Sequence, residues 1–153
     1  MKLELEVQNA SGSEAIPTED DFRNWVSLTL DGKGEFILAV RIVDANEMQS
    51  LNSQYRGKDK VTNVLSFPAE IPESVTGKLR FKPLGDIVLC APVVEREAEE
   101  QEKPVKNHWA HLTVHGALHL LGHDHQDEKE AEAMESLERE YLSGLGIPDP
   151  YGN

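Results

Sequence analysis

All six histidines of the chain lie between His108 and His125, and this cluster is its clearest sign of chemistry. His115 and His119 are four residues apart, so on a helix their side chains lie on the same face. At Gly122 a helix can end in the left-handed conformation, after which His125 can return over the helix. Three converging imidazoles, with a fourth position left for water, are the ligands of a catalytic zinc site. The pattern therefore predicts one zinc ion per chain and a hydrolase.

A polar helix face can also carry histidines without a metal. His108 and His111 share the helical stripe of His115 and His119, so the stripe alone does not distinguish the two interpretations. The turn glycine and a third histidine at the matching distance favour the metal site. We expect His108 and His111 to lie outside the ligand set, because they precede it by one or two helical turns.

The spacing of this motif is shared with the metzincin metalloproteases. In those enzymes a glutamate directly follows the first histidine and serves as the general base. Here that position is Gly116, and no acidic residue lies between Lys106 and Asp124. A zinc metalloprotease-like hydrolase is therefore an alternative that lacks the base its chemistry requires.

Length and composition narrow the class of protein. With 153 residues the chain is expected to form a single domain, 1–153, with a sizeable core. No apolar run approaches the roughly 20 residues of a membrane-spanning helix, and the alternating start predicts a strand and no signal peptide. The single Cys90 excludes an internal disulfide, so we expect a cytoplasmic protein with no membrane partner.

The charge is unevenly distributed along the chain. A net charge of −13 argues against a protein that coats nucleic acid without specificity. The segment from Arg56 to Lys82 is locally positive. Its basic residues are Arg56, Lys58, Lys60, Lys78, Arg80 and Lys82, and its acidic residues are Asp59, Glu70 and Glu73. Such a strip can bind a polyanion, although charge alone leaves solvated loop residues as an equal alternative.

The order of predicted elements, strands first and helices later, favours an α+β fold with one small sheet covered by helices. Residue patterns predict strands at Lys2–Val7, Glu35–Val43, Asn63–Phe67 and Ile87–Cys90. They predict helices at Glu19–Leu30, from Asp44 to about Arg56, from Pro92 to about Gln101, at Val105–Leu121 and at Glu128–Leu145. Residues 68–84 are expected to form a long loop with a short hairpin at Lys78–Phe81. The histidine helix is expected to be a core element that buries Leu112, Leu118, Leu121 and part of Trp109.

A second segment, Leu51 to Pro68, reads LNSQYRGKDKVTNVLSFP and places Arg56 at a helix end. An arginine there suits a phosphate or another oxyanion, although a basic residue at a helix C-terminus also simply complements the helix dipole. Together with the histidine motif and the run from Leu84 to Ile87, this segment closely resembles the YbeY family of endoribonucleases, also called rRNA maturation factors.

The resemblance implies a fold and a function. The fold is a small mixed β-sheet of about four strands covered by about five helices, with the zinc site at the end of the central histidine helix. The activity is that of a single-strand-specific, metal-dependent endoribonuclease in ribosomal RNA maturation, notably at the small-subunit 3′ end, and in ribosome quality control. The implied partners are single-stranded or ribosomal RNA, the small ribosomal subunit and its assembly factors, with no DNA.

The resemblance also assigns site residues. The family's metal-binding histidines map onto His115, His119 and His125, and its functionally important arginine maps onto Arg56. Zinc lowers the pKa of its bound water from about 16 toward 7, and Arg56 would stabilise charge on the phosphorane oxygens. No general base is visible, so hydroxide on the metal is our first candidate, and attack by hydroxide or by the ribose 2′-OH both stay open.

Further residues take supporting roles in this hypothesis. The family's usual Gly-Tyr-Asp-His ending is replaced here by Gly122-His123-Asp124-His125. His123 then lies near the metal but outside the ligand set, and Asp124 is a candidate to orient an imidazole. The residues expected to position the RNA strand are Lys58, Lys60 and Ser66.

A third function class is a non-catalytic ribosome-assembly factor that keeps zinc for structure. Structural zinc normally has four protein ligands and usually includes cysteine, so Cys90 would have to reach the cluster.

Overall fold

The structure, a computed structural model, describes residues 3–123 and 127–151. Its elements in chain order are β1 (Leu3–Asn9), α1 (Glu19–Leu30), β2 (Phe36–Val43), α2 (Ala45–Arg56), β3 (Val64–Pro68), α3 (Glu73–Thr76), β4 (Lys82–Cys90), α4 (Ala91–Glu100), α5 (Val105–Leu120) and α6 (Glu128–Gly144). The strands form one sheet in the order β1-β2-β4-β3, in which β3 is antiparallel to β4 and the other neighbours are parallel. This mixed sheet with its helices confirms the predicted α+β class.

Capping residues set the helix boundaries close to where the sequence predicts them. The Thr18 hydroxyl accepts from the Asp21 backbone N–H at 3.1 Å, and the Asp21 carboxylate accepts from the Thr18 N–H at 3.0 Å. Asp44 caps α2 in the same way through the N–H of Glu47, at 2.8 Å. Helix α2 ends at Gly57, whose φ of 69° is left-handed. These local rules place Arg56 at the last turn of α2.

The segment before the central strand differs from the prediction. The predicted hairpin at Lys78–Phe81 is wrong. Residues 73–76 form the short helix α3, and strand β4 already begins at Lys82. Pro83 and Gly85 resemble loop residues, yet β4 pairs with β2 on both sides of a register irregularity at this point. Such bulges accept glycine and proline inside a strand, which local sequence patterns do not reveal.

Helix α5 crosses one face of the sheet and forms the centre of the larger core. Leu118 is 0% exposed, Trp109 1% and Leu112 4%, as the sequence predicts. Leu121 is only partly buried, because the helix ends beside it. The opposite face of the sheet packs against α2, where Met48 meets Val88. None of the helices within 3–123 and 127–151 is long and apolar enough to span a bilayer.

Candidate metal centre

The described members of the predicted site line one cleft of about 730 Å³ at the edge strand β3. Helix α5 contributes His115 and His119, and the end of α2 contributes Arg56. The described residues that line the cleft are Asn52, Arg56, Lys58, Lys60, Thr62, Asn63, Val64, Leu65, Ser66, Pro68, His115, His119, Gly122 and His123. No acidic residue is among them, so the cleft is locally positive in a chain of net charge −13. Such a cleft suits a phosphodiester.

The two described histidines of the motif are arranged as a pair of metal ligands. Their Nε2 atoms are 3.1 Å apart, and both side chains are partly exposed at the cleft. Two nitrogens bound to one tetrahedral zinc ion at about 2.0–2.1 Å are about 3.3 Å from each other, so His115 and His119 fit a shared ion. Imidazole nitrogen is also the donor type that zinc binds most often in catalytic sites.

The third predicted ligand, His125, and the candidate orienting residue Asp124 lie outside the described residues. Within the described residues no group of three metal-binding side chains is assembled, as expected when one member of the set falls outside them. His123 lines the cleft beside the pair. Its backbone N–H donates to the Leu118 carbonyl at 3.0 Å across Gly122, whose φ of 100° confirms the predicted left-handed turn.

Arg56 lines the cleft from the last turn of α2. Its Nη2 donates to the Ser66 backbone carbonyl at 2.8 Å, and its guanidinium carbon lies 5.9 Å from the centre of the Phe67 ring. A guanidinium has five N–H donors, so this anchor uses only part of its capacity. Lys58 and Lys60 follow on the exposed loop that lines the same wall.

Ser66 joins the two walls of the cleft. While its carbonyl accepts from Arg56, its buried hydroxyl donates to the Gly116 carbonyl on α5 at 3.1 Å. The side chain is thus bonded within the protein, although the residue lines the cleft. Its predicted contact with RNA stays a prediction.

The structure explains why position 116 is glycine. A Cβ atom there would lie 2.9 Å from Ile87 Cγ2 and 3.2 Å from Ser66 Oγ, both shorter than ordinary contacts. This side of α5 packs tightly onto β3 and β4, so a glutamate in the manner of the metzincins has no room. The lack of a base next to His115 is therefore built into the helix packing.

One residue behind the cleft was missed by the sequence analysis. Glu138 on α6 is fully buried, and its Oε1 accepts from His115 Nδ1 at 3.0 Å. Burial by itself raises the pKa of Glu138, but hydrogen bonds from His111 and His115 outweigh it and lower the pKa to about 2. A signal existed, because Glu138 is four residues from both Met134 and Leu142 on the apolar stripe of α6.

The fold defines a class, an α+β domain with a four-stranded mixed sheet, and one solved structure supports this class. The chain is similar to the solution structure of TM1509 from Thermotoga maritima, with a TM-score of 0.57 and 22% identity over 96% of this chain and 99% of that one. At this identity the likeness concerns the fold alone.

Comparison of sequences identifies the family. The family model described as Endoribonuclease YbeY matches residues 6–146, so the chain belongs to the endoribonuclease YbeY family. It is 57% identical over 152 residues to the Endoribonuclease YbeY of Stenotrophomonas maltophilia (strain K279a). It is also 57% identical over 152 residues to that of Xanthomonas axonopodis pv. citri (strain 306). Each match covers 99% of this chain and 94% of the relative. The resemblance noted from the two motifs is thereby confirmed.

Proposed function

We propose that this chain is a zinc-dependent endoribonuclease that cleaves single-stranded RNA in the maturation of ribosomal RNA. Membership of an endoribonuclease family makes it a hydrolase acting on RNA. The observation that carries the proposal beyond the family is the cleft itself. It brings Arg56 into the same cleft as two histidines whose Nε2 atoms are 3.1 Å apart, with no described acidic residue along its lining.

In this proposal His115, His119 and His125 bind one zinc ion per chain. The ion would supply Lewis-acid activation of water and of the phosphodiester. Three neutral imidazoles leave its charge uncompensated, which favours binding of an anionic substrate. Gly122, with a left-handed φ of 100°, ends the helical run directly after the pair, and this turn supports a ligand set that is completed by the residues that follow.

Arg56 binds the scissile phosphate and stabilises the charge that develops on its oxygens. The hydrogen bond to the Ser66 carbonyl orients the guanidinium before substrate arrives, so little side-chain entropy is lost on binding. Lys58 and Lys60 attract the neighbouring phosphates and hold the strand along the loop. His123 contacts substrate or orients a ligand from the end of α5.

The position of these groups supports the proposed selectivity for single strands. The phosphate must enter a recess between a helix end and a loop to reach the histidines, and a flexible strand can bend into it. The backbone of an A-form duplex is held in a regular helix and cannot.

We further propose a single catalytic domain located in the cytoplasm. The family model spans residues 6–146 of the chain, which supports one domain. The lone buried Cys90 supports a reducing compartment. The proposed substrate is the 3′ end of the small-subunit ribosomal RNA, with the small subunit and its assembly factors as partners.

The other two function classes are less well supported. For a metalloprotease, Gly116 leaves no room for the required base, and Glu138 bonds the Nδ1 side of His115 rather than its Nε2 side. For a structural zinc site, Cys90 is buried in the core of α2 and the sheet with Met48, and it does not line the cleft.

The test compares zinc-loaded and metal-depleted protein, with metal quantified, on one sequence as single-stranded RNA, duplex RNA and single-stranded DNA. We expect cleavage of the single-stranded RNA alone, lost on metal removal and restored by zinc. Equal cleavage of the duplex would contradict strand specificity. No cleavage by fully loaded protein would favour the non-catalytic alternative, and cleavage of a peptide library would favour the protease.

A further inference from the structure

A fully buried carboxylate lies directly behind the histidine pair. Glu138 is 0% exposed and is the only buried acidic residue among those whose burial the structure describes. An ionised carboxylate in the interior is costly unless hydrogen-bond donors surround it. Glu138 nevertheless lies on the apolar stripe of α6. Its carboxylate therefore has a role that a leucine side chain at this position could not perform.

The donors around Glu138 come from two further segments. His111 Nε2 and His115 Nδ1 on α5 each lie 3.0 Å from Oε1. The Tyr151 hydroxyl, which follows α6, lies 3.1 Å from Oε1 and 3.0 Å from Oε2 and donates its one proton to this carboxylate. Burial and the negative charge of Glu138 together raise the pKa of Tyr151, so its hydroxyl remains a donor. The carboxylate is thus held in place on more than one side.

This contact determines which nitrogen of His115 carries a proton. An ionised carboxylate only accepts hydrogen bonds, so the neutral imidazole places its proton on Nδ1 and its lone pair on Nε2. Nε2 is the atom that faces His119 at 3.1 Å. The hydrogen bond therefore aims the lone pair of His115 into the place between the two rings.

We propose that Glu138 is a positioning residue for the metal site, which fixes the tautomer and ring orientation of His115 and thereby strengthens metal binding. The inference depends on the zinc site of the proposed function. Carboxylate partners of ligating histidines typically change metal affinity by about 10–100-fold when removed. His111 and Tyr151 hold the carboxylate, so the C-terminal segment supports the site from behind.

A purely structural role, in which Glu138 only joins α5 to α6, predicts a different result. Loss of the carboxylate would then lower stability without a specific effect on the metal. Helix α5 offers a matched control, because His108, two turns before His115, donates from Nε2 to Glu97 of α4 at 2.9 Å. Glu97→Gln changes a histidine–carboxylate pair of the same kind away from the cleft.

The experiment measures the zinc dissociation constant of the full chain by competition with a chromophoric chelator. We expect Glu138→Met to weaken binding by about 10–100-fold. Glu138→Gln is expected to fall between it and the wild type, because an amide oxygen still accepts from Nδ1 but lacks the charge. Glu97→Gln is expected to keep the wild-type value. Glu138→Gln is nearly isosteric and carries the test if the methionine variant does not fold.

Nitrogen NMR of the imidazoles in metal-free protein gives a second readout, which helix packing alone does not move. We expect the Nδ1–H tautomer of His115 in the wild type and its loss in Glu138→Met. Wild-type zinc affinity in a folded Glu138 variant, or the Nε2–H tautomer in the wild type, would overturn the inference. If the wild-type protein binds no zinc at all, the proposed metal site itself is wrong, which is a different result.

Discussion

Arg56 and Ser66 are joined by a hydrogen bond of 2.8 Å from the guanidinium Nη2 to the backbone carbonyl. The Ser66 hydroxyl in turn donates to the Gly116 carbonyl, beside the ligand candidate His115. The end of α2, the edge strand β3 and the histidine helix α5 are thus connected through one residue. These contacts link the guanidinium of Arg56 to the backbone of the histidine helix.

Arg56→Ala is expected to lower RNA cleavage by a factor on the order of 10² or more, because a donor to the developing phosphorane charge is lost. Zinc content and folding stay near normal, since Arg56 is exposed and lies on α2, whereas the described histidine ligands lie on α5. Arg56→Lys restores activity only in part, as one ammonium does not replace the planar fork. The measurement is single-stranded RNA cleavage with metal content verified. Full activity of the alanine variant would remove Arg56 from the mechanism.

Alanine at His115, His119 or His125 is expected to abolish stoichiometric zinc. A zinc site with three histidine ligands loses most of its affinity for the metal when any one of them is removed. His108→Ala is the control, because His108 lies on the same helix but bonds Glu97 away from the cleft. Elemental analysis of the purified variants checks this, and one zinc per chain in the triple alanine variant would show that the ligands lie elsewhere.

Gly116→Ala is expected to destabilise the protein by about 1–2 kcal/mol, because overpacking outweighs the higher helix propensity of alanine. The new Cβ would lie 2.9 Å from Ile87 Cγ2. Gly144→Ala is the control, because Gly144 lies at the end of α6 and the space around its new Cβ is open. We expect this variant to be as stable as the wild type or more stable. Denaturant unfolding measures both. A Gly116→Ala variant as stable as wild type would mean that α5 can move off the sheet at little cost.

Leu118→Ala is expected to cost about 2–5 kcal/mol of unfolding free energy, as for other leucines truncated in a packed core. Leu118 is 0% exposed, whereas Val105 at the start of the same helix is 42% exposed and serves as the control. Val105→Ala leaves the denaturation midpoint nearly unchanged. The same midpoint for Leu118→Ala as for wild type would contradict the central position of α5.

Acidification is expected to lower stability through His108. Burial lowers its pKa from 6.5, with Lys103 and His111 acting in the same direction and Glu97 opposing. Below pH 6.5 the unfolded chain therefore takes up a proton that the folded protein resists, and the free energy of unfolding falls as pH decreases. His108→Gln removes the contribution of His108 to this pH dependence. The free energy of unfolding of the variant therefore declines less between about pH 7 and 5. Urea unfolding of metal-depleted proteins measures the difference, and identical declines would contradict the assignment.

Much of this protein is encoded locally. The Thr18 and Asp44 caps act over three residues, the two histidines share a helix face because they are four apart, and Gly122 can adopt the left-handed turn on its own. Each of these features depends on neighbours within one or two turns, so the residue pattern alone determines it. The boundaries of the five longer helices, the histidine pair and the position of Arg56 at a helix end were predictable for that reason.

Other features depend on residues that are distant in the sequence. The Ser66–Gly116 bond spans 50 residues and the His115–Glu138 bond spans 23. No periodicity within one element reveals that a buried carboxylate meets a particular histidine, or that a serine hydroxyl turns into the protein. The early start of β4 likewise depends on the hydrogen bonds that β2 offers it across the sheet. The residue types determined which chemistry is available, and the packing of α5 against β3, β4 and α6 decided how those groups meet, because long-range contacts form only when the whole core closes.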